Sequence, residues 1–317
     1  MLATRYGIYS AKCHTTTESG GAVLLGGITS QRLNLTNEVS AETTGGGLSP
    51  QQVNLRSVQF GGQLSTRQAG AWLNLIGQRS KVIDSGVSNP GLVLYGQQHE
   101  QGSTRKTGSN HTSYTIKQGA FYPMTLSCNH GDDAELTTGL MATYDGTNNP
   151  IIVSHADALA TAGNDDERYG LGPISIGGIT FTGHKGLSID FGNKVEADST
   201  DGDIFPTMCS VLESVPTISL QGVNPQWFGA SAIPLGGVCA THANTTLYLR
   251  RRSRCASLGY AADDAGTHIA ITACGLLTLE TVLDGSGTGR LQTNAKMQLA
   301  DDGTNLPLVF DFAADLP

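Results

Sequence analysis

The chain has 317 residues, of which 41 are glycine, and only 15% of its residues are charged. Its formal net charge of -8 disfavours general nucleic-acid binding, which requires lysine and arginine side chains that neutralise phosphates. The acidity belongs to the second half, because residues 1–160 carry 10 acidic and 10 basic side chains whereas residues 161–317 carry 17 and 9.

The cysteines and the N-terminal segment show no pattern of secretion or membrane insertion. The six cysteines contain no C-x-x-C motif and lack the density of a secreted disulfide scaffold, which favours reduced thiols at a cytosolic site of assembly. Residues 1–13 lack the apolar core of a signal peptide, and no apolar run approaches the ~18 residues of a membrane span. We therefore expect a protein that is soluble when made and has no membrane partner.

Segments of the first half return in the second half in the same order. Gly-Gly-Ile-Thr at 26–29 returns 151 residues later at 177–180, and Asp-Gly-Thr-Asn at 145–148 returns 157 residues later at 302–305. Between these segments the offset is 156, with Asn-x-Val-x-Ala at 37–41 and 193–197, and Pro50, Leu55 and Leu64 matching Pro206, Val211 and Leu220. These collinear matches predict two homologous domains, residues 1–160 and residues 161–317, each of a length that closes one core. The long period excludes solenoid repeats.

Alternation of apolar and polar residues predicts β-strands along both halves. In chain order, the clearest alternating segments are 33–36, 53–56, 174–176, 187–191, 217–220, 269–272 and 297–299. Asp-Gly turns at 145–146, 284–285 and 302–303 punctuate them, which favours antiparallel pairing. The predicted fold class is all-β with a minor helical contribution, as a tandem of two β-sandwich or barrel domains.

One helix is predicted on the flank of the first sheet. Ser65 and Gln68 have the spacing of a capping box, and residues 69–76 place their apolar side chains on one face. A shorter helical remnant is expected at the same place in the second half. Trp72 and Trp227, the only tryptophans, fall in these two segments, and we interpret both as buried core anchors rather than as a ligand platform.

Two polar loops, residues 42–50 and 198–206, occupy the same place in the two halves. Apolar side chains at their tips suggest contacts with another subunit, because a soluble monomer has no reason to display them. A mobile hairpin tip is the alternative interpretation. The candidate contact residues are Glu42, Leu48, Pro50, Asp201, Ile204 and Phe205.

The sequence contains no motif that points to catalysis. There is no G-x-S-x-G elbow, and the glycine-rich segment 285–290 lacks the lysine and the spacing of a P-loop. The eight histidines show no metal-binding spacing, and residues 129–133 are interpreted as a loop. The basic run 250–254 is interpreted as a strand end that faces solvent or an interface. We expect no catalytic residue, no metal and no cofactor, so the protein is predicted not to be an enzyme.

The duplicated strand pattern, the flanking helix and the paired loops resemble the tail tube (major tail) proteins of long-tailed phages. The resemblance covers the whole chain and rests on this architecture and on the Gly-Gly-Ile-Thr and Asn-x-Val-x-Ala segments. It implies a structural virion protein, assembled in the host cytoplasm, in which three chains supply six domains to a pseudo-six-fold ring. Rings would stack through the two loops into a tube that carries DNA without binding it specifically.

The resemblance also implies partners at the ends of the tube, namely the tape measure, terminator and distal tail proteins. Two physical arguments agree with it: a neutral or acidic wall lets DNA slide, and a closed ring covers strand edges that would otherwise be open. The alternatives are a capsid cement or decoration protein, a tandem carbohydrate-binding module and an unrecognised hydrolase.

Overall fold

The computed structural model describes residues 4–13, 22–43, 45, 47–84, 91–100, 111–158, 167–200, 202–229, 232–252, 259–284 and 292–317. The described part of the first half contains ten strands and one α-helix: β1 (Thr4–Cys13), β2 (Val23–Leu25), β3 (Ile28–Glu42), β4 (Gln52–Thr66), α1 (Ala69–Ile76), β5 (Lys81–Ile83), β6 (Leu92–Glu100), β7 (His111–Ile116), β8 (Gln118–Asn129), β9 (Glu135–Thr143) and β10 (Ile152–Asp157).

The described part of the second half contains twelve strands and two short 3-10 helices, Pro225–Trp227 and His242–Asn244. The strands are β11 (Tyr169–Ile176), β12 (Ile179–Thr180), β13 (His184–Asp190), β14 (Asn193–Asp198), β15 (Met208–Ser214), β16 (Thr217–Gly222), β17 (Val238–Ala240), β18 (Thr246–Arg251), β19 (His268–Ala273), β20 (Gly275–Asp284), β21 (Gln292–Leu299) and β22 (Leu308–Ala314). The protein is therefore mostly β, as the alternating pattern predicts.

The strands form four sheets, and all the pairings between them are antiparallel. Two sheets have five strands each, in the orders β10-β7-β6-β1-β2 and β12-β11-β18-β19-β22. The largest sheet has ten strands and draws on both halves, in the order β17-β20-β21-β16-β13-β8-β9-β4-β3, with β5 paired to β8. Strands β14 and β15 form a separate two-stranded sheet. The buried side chains of the three large sheets belong to one continuous apolar core.

The order of pairings in the first half recurs in the second half. Strand β1 pairs with β2 and β6, and β7 pairs with β6 and β10, just as β11 pairs with β12 and β18, and β19 pairs with β18 and β22. Strand β8 pairs with β5 and β9, and β9 with β4, just as β20 pairs with β17 and β21, and β21 with β16. Even a shift of register between Pro123 and Thr125 in β8 has its match in β20, between Leu279 and Thr281.

The two tryptophans fix the starts of matching hairpins to the core. Trp72 of α1 is fully buried, packs against Phe121 with ring centroids 5.6 Å apart, and donates its indole hydrogen bond to the Gly26 carbonyl at 3.1 Å. Trp227 is also buried, and its indole donates to the Thr182 carbonyl at 2.9 Å. Each tryptophan thus holds the backbone shortly before the strand that leads into a hairpin, β3 or β13.

The predicted capping box is wrong, although the helix occupies the expected residues. Ser65 belongs to β4, which continues to Thr66 because it pairs with β9 along this stretch. Gln68 is itself the N-cap residue and makes no side-chain capping bond, since its side-chain oxygen accepts a hydrogen bond from the Gly26 amide at 2.9 Å. The pairing of β4 with β9 therefore overrides the local capping pattern.

Candidate assembly surfaces

Within the described residues, one strand pair, in the middle of the largest sheet, links a strand of the first half to a strand of the second half. Strand β13 pairs with β8 from Gly186 opposite Asn129 to Asp190 opposite Thr125. The apolar side chains of this seam are buried on the core side, namely Leu187, Ile189, Leu126 and Cys128. Burial raises the pKa of the Cys128 thiol to about 12, so the thiol stays protonated and unreactive. We call this contact the intrachain seam.

Polar contacts beside the intrachain seam fix its geometry. The side-chain amide of Asn193 donates to the carbonyl oxygens of Gln78 at 3.1 Å and Pro123 at 3.0 Å. The buried side-chain oxygen of Gln78 accepts a hydrogen bond from the Leu308 amide at 3.1 Å. A residue after α1 in the first half is therefore bonded to two separate elements of the second half.

The basic run 250–254 contributes to the same junction. Arg252 lies 3.0 Å from the carboxylate of Asp133 and donates to the carbonyl oxygens of Gly131 and Asp132, at 2.8 Å each. Arg250 pairs with Asp263 at 3.0 Å and lies over the ring of Tyr260. The end of the strand thus faces an interface inside the chain, while Ser253 and Arg254 lie outside the described residues.

The hairpin of β3 and β4 forms an arm whose outer part is exposed on both faces. Consecutive residues 34–39 of β3 and 51–56 of β4 are all exposed, although a sheet packed on a core would bury every second one. The exposed apolar side chains of the arm are Leu35, Val39, Leu48, Val53 and Leu55. We call residues 34–57 the arm. These five exposed apolar side chains lie on one hairpin, and clustered exposure of this kind is typical of an interaction surface.

The corresponding hairpin of β14 and β15 is folded back onto the first half. The Ile204 carbonyl accepts from the Val58 amide and the Pro206 carbonyl from the Tyr144 amide, both at 2.7 Å. The ring of Phe205 packs on Tyr144 with centroids 6.2 Å apart. We call residues 193–214 the docked hairpin.

The docked hairpin bends at two residues that the arm lacks. Gly192 has φ +57, and a Cβ there would lie 2.2 Å from the Val215 carbonyl, so only glycine fits the bend. Pro216 separates β15 from β16 on the other strand, because it has no amide hydrogen to continue the ladder. The matching positions of the arm are Thr36 and Phe60, which keep β3 and β4 continuous.

The predicted contact residues fall into two groups. Glu42, Leu48 and Pro50 of the arm are exposed, and Glu42 has only a weak surface ion pair with Arg56 at 3.8 Å. In the docked hairpin, Ile204 remains 40% exposed, but Phe205 is half-buried against the first half. Asp201 lies outside the described residues. Whether either loop joins successive rings stays a prediction.

Among the described residues, the largest sheet has two unpaired edges, one along β3 and one along the part of β20 that β17 does not cover. Strand β3 pairs with β4 on one side only, and β20 pairs with β17 only from Gly275 to Leu277, so the rest of that edge lacks a partner within the described residues. Near these edges lie exposed apolar side chains, Leu35, Leu235 and Val282. Alternation in the sequence predicts strands but does not reveal these edges, because it does not show which strands pair.

Comparison with known protein families and with curated proteins finds no match for this chain. Within the described residues, no group of three or more histidine, cysteine, aspartate or glutamate side chains is arranged to bind a metal ion. None of the helices in the described ranges combines the length and the apolar character that crossing a membrane requires.

Proposed function

We propose that the protein is a structural virion protein that forms the stacked rings of a phage tail tube. Its halves would be homologous β-sandwich domains, so that three chains supply six domains to a pseudo-six-fold ring. The observation that carries this proposal is the continuous sheet, which passes from one half to the other through the intrachain seam and ends in two unpaired edges. An edge of this kind invites pairing with another chain.

A head-to-tail contact between such edges closes into a ring if the rotation per chain divides a full turn. The recurring order of strand pairings supports this reading, because a ring of alternating domains needs each domain to offer the same two edges. The net charge of -8 also suits a conduit, since a surface without excess lysine and arginine does not hold duplex DNA through its phosphates.

The arm is the observation that favours stacking of the proposed rings. It carries five exposed apolar side chains on a hairpin that packs on nothing in its outer part. Burying one such side chain contributes roughly 1.5 to 3 kcal/mol, and the contact repeats around each ring. The loop of the docked hairpin retains exposed residues, so we keep it as a second stacking contact beside the arm.

Electron microscopy of the purified protein tests the proposal, together with mass measurement of the assembled particles. Hollow discs that contain three chains and stack into tubes are the expected result. A stable monomer at all concentrations, or discs with six chains, would contradict it. Trimers that bind capsids but never stack would favour the decoration-protein alternative instead.

A further inference from the structure

We infer that the unpaired edge of β3 pairs with the unpaired edge of β20 in a second copy of the chain, in the register of the intrachain seam. This inference rests on the proposed function, because it specifies the contact that would close the ring. We infer a second copy of the chain as the partner of both edges, because the same two types of edge already pair inside one chain.

The position of β3 in its sheet matches that of β13. In the first half, Gln31 of β3 lies opposite Leu64 of β4. In the second half, Leu187 of β13 lies opposite Leu220 of β16. Both residues of the second pair follow those of the first by 156 positions. Strand β3 therefore presents to an incoming strand the same edge that β13 presents to β8.

The position of β20 matches that of β8 at the same offset. Gly119 of β8 lies opposite Ala142, and Gly275 of β20 lies opposite Leu299. Strand β5 occupies the edge of β8 only from Gly119 to Phe121, which leaves the following residues of that edge to β13. Strand β17 occupies the matching three residues of β20. The following residues of β20 have no partner in the described chain, where β8 has β13.

Transferring the intrachain register to these edges gives residue pairs between two chains. Inside the chain, Asp190 lies opposite Thr125. The same offset places Asn34 of one chain opposite Thr281 of the next. By the same transfer, the half-buried Leu33 lies opposite Val282, where the seam has two buried apolar residues.

Exposed apolar residues lie where the intrachain seam has buried ones. Val282 is 43% exposed, whereas the matching Leu126 is buried. Leu35 is 58% exposed, and the residue that follows it by 156 positions, Phe191, is fully buried. These side chains are in contact with water in the monomer, so burying them against a second copy lowers the free energy of the associated state.

Among the exposed apolar residues near the two unpaired edges, Leu235 is the most exposed, at 92%. It precedes β17 by three residues, just as the buried Gln78 precedes β5. Gln78 receives its hydrogen bond from Leu308, which follows the proline of the second Asp-Gly-Thr-Asn segment. The residue at that place in the first half is Ile151. An apolar contact between Leu235 of one chain and Ile151 of the next therefore replaces the hydrogen bond of the seam.

Engineered disulfides test the register directly. The Phe191 amide bonds the Met124 carbonyl, so the neighbouring pair of Asp190 and Thr125 is a non-hydrogen-bonded pair, whose Cα atoms approach within disulfide range. The test variant is Asn34→Cys with Thr281→Cys. Its matched control, Asp190→Cys with Thr125→Cys, places the same pair inside the chain. A second control, Arg32→Cys with Thr281→Cys, is displaced by two residues from the inferred register.

We expect the test variant to give covalently linked chains on a non-reducing gel, with linked peptides identified by mass spectrometry. The matched control should give a disulfide within one chain, and the displaced pair should give neither product in quantity. Assembled tubes without the link would overturn the inferred register while leaving the tube intact. Linked chains that never form tubes would support the contact and count against the tube function. Unlinked monomers would count against both.

Substitution of Leu235 tests the lateral contact without touching the strands. Because Leu235 is almost fully exposed, Leu235→Asp should leave the fold of the monomer unchanged and weaken chain association by at least about tenfold. Leu235→Gln restores the residue type found at the seam and should weaken association by less than about threefold. The measurement is the critical concentration for assembly. Assembly of Leu235→Asp at the wild-type concentration would overturn the role of Leu235.

Discussion

The arm and the docked hairpin begin alike and end differently. Both follow a backbone segment that an indole hydrogen bond holds to the core, through Trp72 in one case and Trp227 in the other. Beyond that point the docked hairpin turns at Gly192 and Pro216 and packs on the first half, whereas the arm continues straight and stays exposed. Gly192 and Pro216 thus distinguish a hairpin that covers a surface inside the chain from one whose side chains stay exposed.

The largest expected effect comes from removing the shared anchor. Trp72→Ala should lower the free energy of unfolding by about 3 to 5 kcal/mol, because it leaves a large cavity beside Phe121 and removes one of the two hydrogen bonds to the Gly26 carbonyl, the other coming from the Thr66 hydroxyl. Trp227→Ala should have an effect of the same order. Chemical denaturation of both variants measures this, and an unchanged stability in either would show that the two hairpins are anchored differently.

A smaller effect is expected from removing the bend of the docked hairpin. Gly192→Thr should cost about 1 to 3 kcal/mol, because the new side chain requires a left-handed backbone and meets the Val215 carbonyl. The control is Thr36→Gly in the exposed arm, which should cost about 1 kcal/mol or less. Amide exchange at Val58 and Tyr144 should report release of the hairpin in the first variant alone. Equal protection in both would contradict the role of the bend.

The next comparison separates folding from assembly. Phe205→Ser removes the ring that packs on Tyr144 and should destabilise the monomer by about 1 to 2 kcal/mol. Leu48→Ser should change monomer stability by about 0.5 kcal/mol at most, because Leu48 is fully exposed, yet it should shorten the tubes. Melting temperature and tube length by electron microscopy are the two measurements. If Leu48→Ser gives tubes of normal length, the stacking contact does not involve Leu48 and must be sought outside the arm.

A further test is the Ile204→Ser, Phe205→Ser double variant, which removes the apolar tip of the docked hairpin. If that tip also joins rings, the variant should lose tubes while its far-ultraviolet circular dichroism is retained. Long tubes at the wild-type concentration would leave stacking to the arm alone.

The smallest expected effect concerns pH. Hydrogen bonds from Asn305, through its backbone and its side chain, and from the Thr304 amide lower the pKa of Asp302 to about 2. The folded pKa lies below the unfolded value of about 3.9, so this carboxylate stabilises the fold above pH 4, and the contribution is lost as the pH falls toward 2. The difference in melting temperature between wild type and Asp302→Asn should therefore shrink between pH 5 and pH 2. A constant difference would contradict the assignment.

The first half has the same Asp-Gly-Thr-Asn turn, and the pKa of its aspartate is shifted in the same direction. Burial alone would raise the pKa of Asp145, but hydrogen bonds from Asn148 and Thr147 lower it overall. Asp145→Asn should therefore show the same dependence on pH. The repeated turn is one of the features that the sequence predicted best, since Asp-Gly-Thr-Asn carries its bonding partners within four residues.

Features that depend on distant residues were harder to predict. Alternation predicted strands but did not reveal that β13 pairs with β8, because the partner of a strand is set by packing across the chain rather than by its own pattern. The spacing of Ser65 predicts a helix cap, but Ser65 pairs with β9 instead, and that partner is distant in the sequence. Gly192 and Pro216 are visible in the sequence, yet their consequence depends on the surface of the first half against which the hairpin packs.

The intrachain seam has a mechanical consequence for any ring built from this chain. Because one polypeptide carries both of its sides, that seam forms at the effective concentration of a tethered contact, in the millimolar range or above, and does not depend on how much protein is present. Contacts between chains have no such tether, so they form last and separate first. A tube under strain would therefore be expected to break at the contacts between chains, which alternate with the intrachain seams around the ring. The fragments would be whole chains in which the intrachain seam is intact.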